Sequence, residues 1–277
     1  MRYQYMSDSH THTNCSPDGS NSVDEMYRRA KELELYYYTI TDHCECNDYD
    51  GAHIGFSYRK WTDEGYRRMS ESAERLHYDV RLLKGLELGQ PVQNFSAAED
   101  VLGARAYDFV LGSVHNIKGF EDFYFLKYDE MPEGYIDRLL TSYFGEMLQM
   151  VQWGKIDSVA HLTYPLRYIR GDHKIEIDMR PHEEEVRAVF TEMIRRDIAL
   201  EINTSGLRQA IGCFLPDKPY VELYRSMGGR LLTIGSDAHR VEDLGKGIEE
   251  GLEMMKEAGF TEFAVYVAHE PQMLPIK

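Results

Sequence analysis

His10 and His12 lie in the stretch Ser-His-Thr-His-Thr-Asn-Cys-Ser-Pro-Asp-Gly, from Ser9 to Gly19, and are spaced i and i+2. They follow an alternating run, Tyr3 to Ser7, that reads as a first β-strand. Residues at i and i+2 of extended chain face one side, so both rings could reach one metal ion. A single His-x-His pair is a weak signal, and its weight depends on the positions that follow. Six of the 11 histidines, His10, His12, His43, His115, His161 and His239, fall where strand-like runs give way to loops, with Asp18, Glu87 and Asp237 at similar stations. Any one of these histidines alone reads as an ordinary hydrogen-bonded side chain. Six in register with three carboxylates read as a metal centre. The remaining histidines, His77, His173, His182 and His269, read as ordinary, with His53 as a candidate exception because it lies in a long loop.

Nitrogen and carboxylate donors in this proportion suit zinc, manganese or iron better than calcium or magnesium. A carboxylate such as Glu87 can bridge two ions, which together polarise a phosphoryl oxygen and generate hydroxide at neutral pH. Nine candidate ligands exceed what one ion needs, so two or three divalent metal ions are expected. Cys44 and Cys46 flank this set but lack the partner pair of a structural zinc site, and are not read as ligands.

The elements that must position these residues alternate along the chain. Strands are expected at Tyr36 to Thr41, Val80 to Leu86, Phe109 to Ser113, Ser158 to Ala160, Ala199 to Ile202, Leu231 to Ile234 and Ala264 to Val267. Helices are expected from Ser22 to about Leu33, Trp61 to His77, Ala97 to Arg105, Glu133 to Trp153, Glu183 to Arg196, Tyr220 to Met227 and Gly247 to Ala258. Residues 44–57 have no clean period and read as a lid-like loop. Such alternation argues an α/β fold with a parallel sheet, and this many units suggests closure into one barrel domain over residues 1–277. In such barrels the chemistry sits at the C-terminal ends of the strands, where the His, Asp and Glu residues fall.

With 47 acidic against 31 basic residues, the net charge of −16 disfavours a nucleic-acid-binding surface. No basic n-region precedes an apolar stretch, and no apolar run approaches the roughly 18 residues of a membrane span. Four cysteines without disulfide-framework spacing fit a reducing cytoplasm. The expected partner is a small molecule, with no nucleic acid and no membrane. The 20 tyrosines leave a homo-oligomer open.

The ordered set His10-x-His12, Ser16-x-Asp18-Gly19, Thr41-Asp42-His43, Gly85-x-Glu87, Gly112-Ser113-Val114-His115, Ala160-His161 and Gly235-Ser236-Asp237-Ala238-His239 resembles the polymerase-and-histidinol-phosphatase (PHP) superfamily. Length and the stretch Glu201-Ile-Asn203-Thr-Ser-Gly206-Leu-Arg208 are most similar to its monofunctional histidinol-phosphate phosphatases. The resemblance implies a distorted TIM-like barrel of about seven strands with a trinuclear centre at its mouth. It implies His10, His12, Glu87 and Asp237 around a first ion, Glu87, His115 and His161 around a second, and Asp18, His43 and His239 around a third. It also implies hydrolysis of L-histidinol phosphate in histidine biosynthesis. The stretch Cys44-Glu45-Cys46 departs from the family pattern and leaves substrate contacts there open.

Phosphate-monoester hydrolysis needs an activated water, charge neutralisation on the phosphoryl oxygens, and a proton for the leaving alkoxide. A metal-bridging hydroxide near Glu87 is expected to attack phosphorus in line. Arg167 and Arg208, in loops after strands, are expected to hold the phosphate, because a planar guanidinium matches two of its oxygens. Asp18 and His43 are alternative proton sources. Glu45, Asp48, Tyr49, His53 and Phe56 offer contacts for an amine and an imidazole. The rival readings are a PHP-type phosphoesterase for another small phosphate ester or a nucleotide, a non-catalytic metal-binding module, and an amidohydrolase that would be indifferent to Arg208→Ala.

Overall fold

The computed structural model describes residues 3–46 and 58–277. Its first eight strands are β1 (Ser7–Asp8), β2 (Tyr37–Ile40), β3 (His43–Glu45), β4 (Arg81–Gly89), β5 (Phe109–Ser113), β6 (Ser158–Val159), β7 (Ala199–Asn203) and β8 (Leu232–Gly235). All but β3 form one parallel path in the order β1-β2-β4-β5-β6-β7-β8. The path curls back on itself. Ser9 N–H donates to Ile234 O at 2.9 Å, and His12 N–H donates to Ala238 O at 2.8 Å. The result is a nearly closed barrel of seven strands.

Helices α1 (Val23–Glu32), α2 (Tyr58–Arg75), α3 (Phe95–Ala104), α4 (Tyr135–Trp153), α5 (Tyr164–Leu166), α6 (Glu183–Arg195), α7 (Lys218–Ser226) and α8 (Ile248–Glu257) connect the strands. The signals that start and stop them are local. Ser22 caps α1 by accepting the Glu25 N–H, while the Glu25 carboxylate accepts the Ser22 N–H at 2.8 Å. The longest of the described helices, α4, buries Leu140, Tyr143, Phe144, Met147 and Met150 along one face and ends at Gly154, whose φ of 75° suits glycine.

The expected first strand at Tyr3 to Ser7 is corrected to Ser7–Asp8: Gln4 and Tyr5 form a turn, which lets Tyr3 and Met6 both be buried. Glu87 and Asn203 lie inside their strands rather than just past them. For β4 the reason is β3, which includes the start of the stretch read as a loop, pairs His43 with Glu87 and Glu45 with Gly89, and so carries β4 on to Gly89. Asp48, Tyr49, His53 and Phe56 lie outside the described residues. The expected last strand is one arm of an antiparallel hairpin, β9 (Glu262–Val267) with β10 (Glu270–Pro275), separate from the barrel path.

That hairpin closes the N-terminal end of the barrel. His269 N–H donates to Asp108 O at 2.9 Å, and the His269 ring nitrogen Nδ1 lies 2.9 Å from Asp157 Oδ2. Above the turn, Tyr266 and Ala264 pack with Phe109, Leu111, Ala160 and Ala199, and the Tyr266 ring stacks on Phe109 at 5.4 Å.

Candidate metal centre

The structure brings all nine expected ligand residues together at the C-terminal mouth. His10 and His12 leave β1 in extended chain, held by the bridge from Thr11 to Ala238. Their Nε2 atoms are 3.0 Å apart. Glu87 Oε2 lies 3.4 and 3.5 Å from these two nitrogens, and Asp237 Oδ1 lies 3.6 and 3.5 Å from them. These separations match the edges of a tetrahedron around an ion with bonds of 2.0–2.1 Å, about 3.3–3.4 Å. Only glycine fits at 235, where a Cβ would stand 2.2 Å from His10 Cβ.

The other oxygen of Glu87 serves a second group. Oε1 lies 3.1 Å from His115 Nε2 and 3.0 Å from His161 Nε2, and these nitrogens are 3.4 Å apart. Glu87 thus faces two sets of imidazoles with two oxygens, the geometry of a bridging carboxylate. On the open side, Asp18 Oδ2 lies 3.1 Å from His239 Nε2, and Asp18 Oδ1 lies 3.8 Å from His43 Nε2. His43 also reaches inward, its Nδ1 2.9 Å from Glu87 Oε2. Among the described residues, mutual proximity of donor atoms groups His10 with His12 and Asp237, His43 with Glu87 and His115, and His12 with His43 and His239. His43 is therefore shared between the second and third groups.

Without ions the site draws protons instead. Burial alone would push His10 and His43 down, but carboxylates outweigh it, Glu201, Asp237 and Glu87 around the first and Glu87 and Asp18 around the second, so both stand well above their ordinary value. His115, opposed by burial but faced by Glu45 and Glu87, is raised to about 10. His12 is lowered to about 3 by burial and by His239 and His43. Burial opposes ionisation of Glu87 and Asp237, yet neighbouring histidines hold both well below the usual carboxylate range. Such a cluster needs positive charge among its carboxylates, supplied by protons or by cations. The donor set and spacing fit divalent metal ions.

Several residues that sequence reasoning did not assign to the centre hold the ligands. Glu201 Oε1 takes His10 Nδ1 at 2.6 Å, and its Oε2 accepts the His161 N–H at 2.7 Å. Ser16 Oγ lies 3.2 Å from His12 Nδ1 and donates to Asp42 Oδ1 at 2.8 Å. Strand alternation is the signal that could have found Glu201, which shares the inward face with Ala199 and Asn203. His161 and Asp237 have φ of 23° and 54°, strained for non-glycine residues and typical of functional sites.

Arg167 begins a π-helical turn, Arg167–Asp172, that carries it over the mouth. Its Nη2 donates to Asp237 Oδ2 at 3.1 Å and to Ser205 Oγ at 2.8 Å. Arg208 Nη2 donates to Ser236 O at 2.9 Å. Arg167 Nε and Arg208 Nη1 are buried without a hydrogen-bond partner among the described residues, which leaves two guanidinium donors free for an anion. Of the histidines read as ordinary, His173 pairs with Asp129 and His182 with Asp137, while His77 is exposed. The four cysteines are free thiols.

The structure is thus a parallel barrel whose mouth gathers nine histidine and carboxylate side chains, spaced as groups that could hold metal ions. The chain belongs to the PHP domain family, whose profile matches residues 8–205. It is 30% identical to a probable histidinol-phosphatase of Thermotoga maritima, across 94% of this chain and 95% of that one. It is 24% identical to a histidinol-phosphatase of Lactococcus lactis subsp. lactis, across 94% and 93%. The crystal structure of a histidinol phosphate phosphatase from Lactococcus lactis, complexed with zinc, L-histidinol and phosphate, superposes with a TM-score of 0.80 at 21% identity, covering 96% of this chain and 98% of that one. At that identity the likeness establishes the fold. No described helix is long and apolar enough to cross a membrane.

Proposed function

We propose that the chain is a metal-dependent phosphomonoesterase that hydrolyses L-histidinol phosphate to L-histidinol and phosphate, the histidinol-phosphatase reaction of histidine biosynthesis, in the cytoplasm. The observation that carries the chemistry is Glu87, whose two oxygens face two separate imidazole groups beside two unpartnered guanidinium donors. The substrate follows from the relatives of matching length that bear that name.

Two or three divalent ions, zinc, manganese or iron, would be held by His10, His12, Glu87 and Asp237, by Glu87, His115 and His161, and by Asp18, His43 and His239. When bound they supply Lewis-acid charge and a water nucleophile at neutral pH. The free Arg167 and Arg208 donors take phosphoryl oxygens, and Arg167 stays fixed through Asp237 and Ser205 while it does so. Asp18 and His43, on the open side, are the two groups able to manage the proton for the leaving alkoxide.

The test is steady-state phosphate release from L-histidinol phosphate, an aryl phosphate, a nucleoside monophosphate and an aryl phosphodiester, with manganese- or zinc-loaded protein. A kcat/KM for histidinol phosphate at least about a thousandfold above the others, about 4 kcal/mol, is expected. A diester or nucleotide that won would overturn the substrate while leaving a PHP-type phosphoesterase. Arg208→Ala is expected to lower kcat/KM about a hundredfold, chiefly through phosphate binding. A hydrolase of C–N bonds would be indifferent to it.

A further inference from the structure

In the stretch Cys44-Glu45-Cys46, outside the family pattern, Cys44 and Glu45 end β3 and Cys46 follows it, its N–H donating to Gly89 O at 2.9 Å, so the side chains alternate in direction. The two thiols are fully buried away from solvent, while His43 and Glu45 face the mouth. Glu45 Oε1 lies 3.1 Å from His115 Nδ1 and 3.4 Å from His43 Nδ1. Its other oxygen accepts Gln90 Nε2 at 2.6 Å. Gln90 is itself held in place: its φ is 47°, it donates to Asn116 Oδ1 at 2.6 Å, and its Oε1 accepts the His115 N–H at 3.1 Å. The seat exists only because residue 89 is glycine, since a Cβ there would lie 2.4 Å from Glu45 Oε2.

An ionised carboxylate can only accept, so the ring nitrogen facing Glu45 must carry the proton. For His115 this fixes Nδ1 as N–H and leaves the Nε2 lone pair aimed at the group around Glu87 Oε1, 3.1 Å away. Across the barrel, Glu201 does the same for His10. His161, the remaining imidazole of the second group, has no hydrogen-bond partner at Nδ1 among the described residues. Within the second group Glu45 therefore orients the His115 ring, while the His161 main chain is held by Glu201 Oε2 at 2.7 Å.

We propose that Glu45 is a positioning residue for the second ion, the one bounded by Glu87, His115 and His161, and that Glu201 does the corresponding work for the first. This rests on the metal-centre reading above but not on the identity of the substrate. Outer partners of ligating histidines are worth about 10–100-fold in metal affinity.

The experiment loads wild type, Glu45→Gln, Glu45→Asp, Glu201→Gln and Gly89→Ala with cobalt(II). Metal content and the visible d–d spectrum are then followed through a graded chelator titration. Glu45→Gln is expected to release the second ion at about 10–100-fold lower chelator than wild type, with a smaller shift in the step that involves His43 and the step of the first ion unmoved. Glu201→Gln should weaken chiefly the step of the first ion, through His10, with a different spectral change and a lesser effect on the second ion through the His161 main chain, and Glu45→Asp should recover part of the affinity. Gly89→Ala keeps the carboxylate but displaces it, and so should reproduce the Glu45→Gln loss even if that variant folds poorly. Wild-type release steps in both Glu45→Gln and Gly89→Ala would overturn the proposal. A KM raised for histidinol phosphate alone, with an aryl phosphate unaffected and all ions retained, would do the same by making Glu45 a substrate contact. Because the readout is metal release, failure of the phosphatase assay leaves it intact.

Discussion

At its mouth the barrel packs His10, His12, Glu87, His115, His161 and Asp237 with donor atoms 3.0–3.6 Å apart. At its floor the starts of β5 and β7 present Phe109 and Ala199 to Tyr266 and Ala264 of the hairpin. The floor is an apolar plug whose stacked rings gain dispersion and area burial, and the Tyr266 hydroxyl is buried there without a partner among the described residues. The mouth is the reverse, a buried cluster of like charges tolerable only with protons or cations between them. One set of strands carries both, so free energy of folding and chemistry are drawn from opposite ends of the same wall.

Substitutions at the two ends should therefore separate. The largest effect is expected of Glu87→Gln, which removes the shared ligand: kcat/KM should fall by about 10⁴-fold, or about 5.5 kcal/mol. A kcat/KM within about tenfold of wild type would mean that Glu87 is not a shared ligand. Next, Phe109→Ala should cost about 3–5 kcal/mol in denaturant unfolding and leave kcat of the folded fraction near wild type.

The third prediction concerns ion removal and pH. His115 stands at about 10 in the metal-free fold against an ordinary 6.5, because Glu45 and Glu87 outweigh the burial that opposes it. A raised value contributes stability that is complete below 6.5 and is lost as pH climbs toward 10. Metal-free protein should thus melt lower as pH rises through that window. Metal ions must displace the same proton, so the gap between loaded and chelated protein should widen with pH. Melting scans with and without chelator check both signs. The smallest effect is Tyr266→Phe, which removes an unpaired buried hydroxyl and should be neutral or stabilising by up to about 1 kcal/mol, with activity unchanged.

The alternation of strands and helices was legible because each apolar run is short and each ends at a polar, chemically distinctive residue such as His43, His115 or His161. The candidate ligand stations, which the fold brings together at the mouth, were legible for the same reason. Glu201 was not assigned to the centre because its partner His10 lies 191 positions away, and no local period encodes that pairing. Glu45 was read as part of a loop because a three-residue strand is too short to show alternation, and it becomes a strand only by pairing with β4. The arm β10 was missed because Pro271 and Pro275 argue against a strand, although prolines are tolerated at the edge of a hairpin.

The seam between β8 and β1 also has a consequence for how the molecule is made. Asp8 Oδ1 accepts the Ser236 N–H at 2.8 Å across 228 positions of chain, and His10, His12 and Asp237 meet just beyond it. Contacts of such sequence separation form late, after the loop-closure entropy of the intervening chain has been overcome. A nascent chain emerging from the ribosome thus carries His10 and His12 among its earliest residues yet cannot complete their site until Asp237 has been synthesised. Metal capture at that site would then be a record of finished synthesis, and an ion bound across the seam would act as a clasp that slows reopening of the ring.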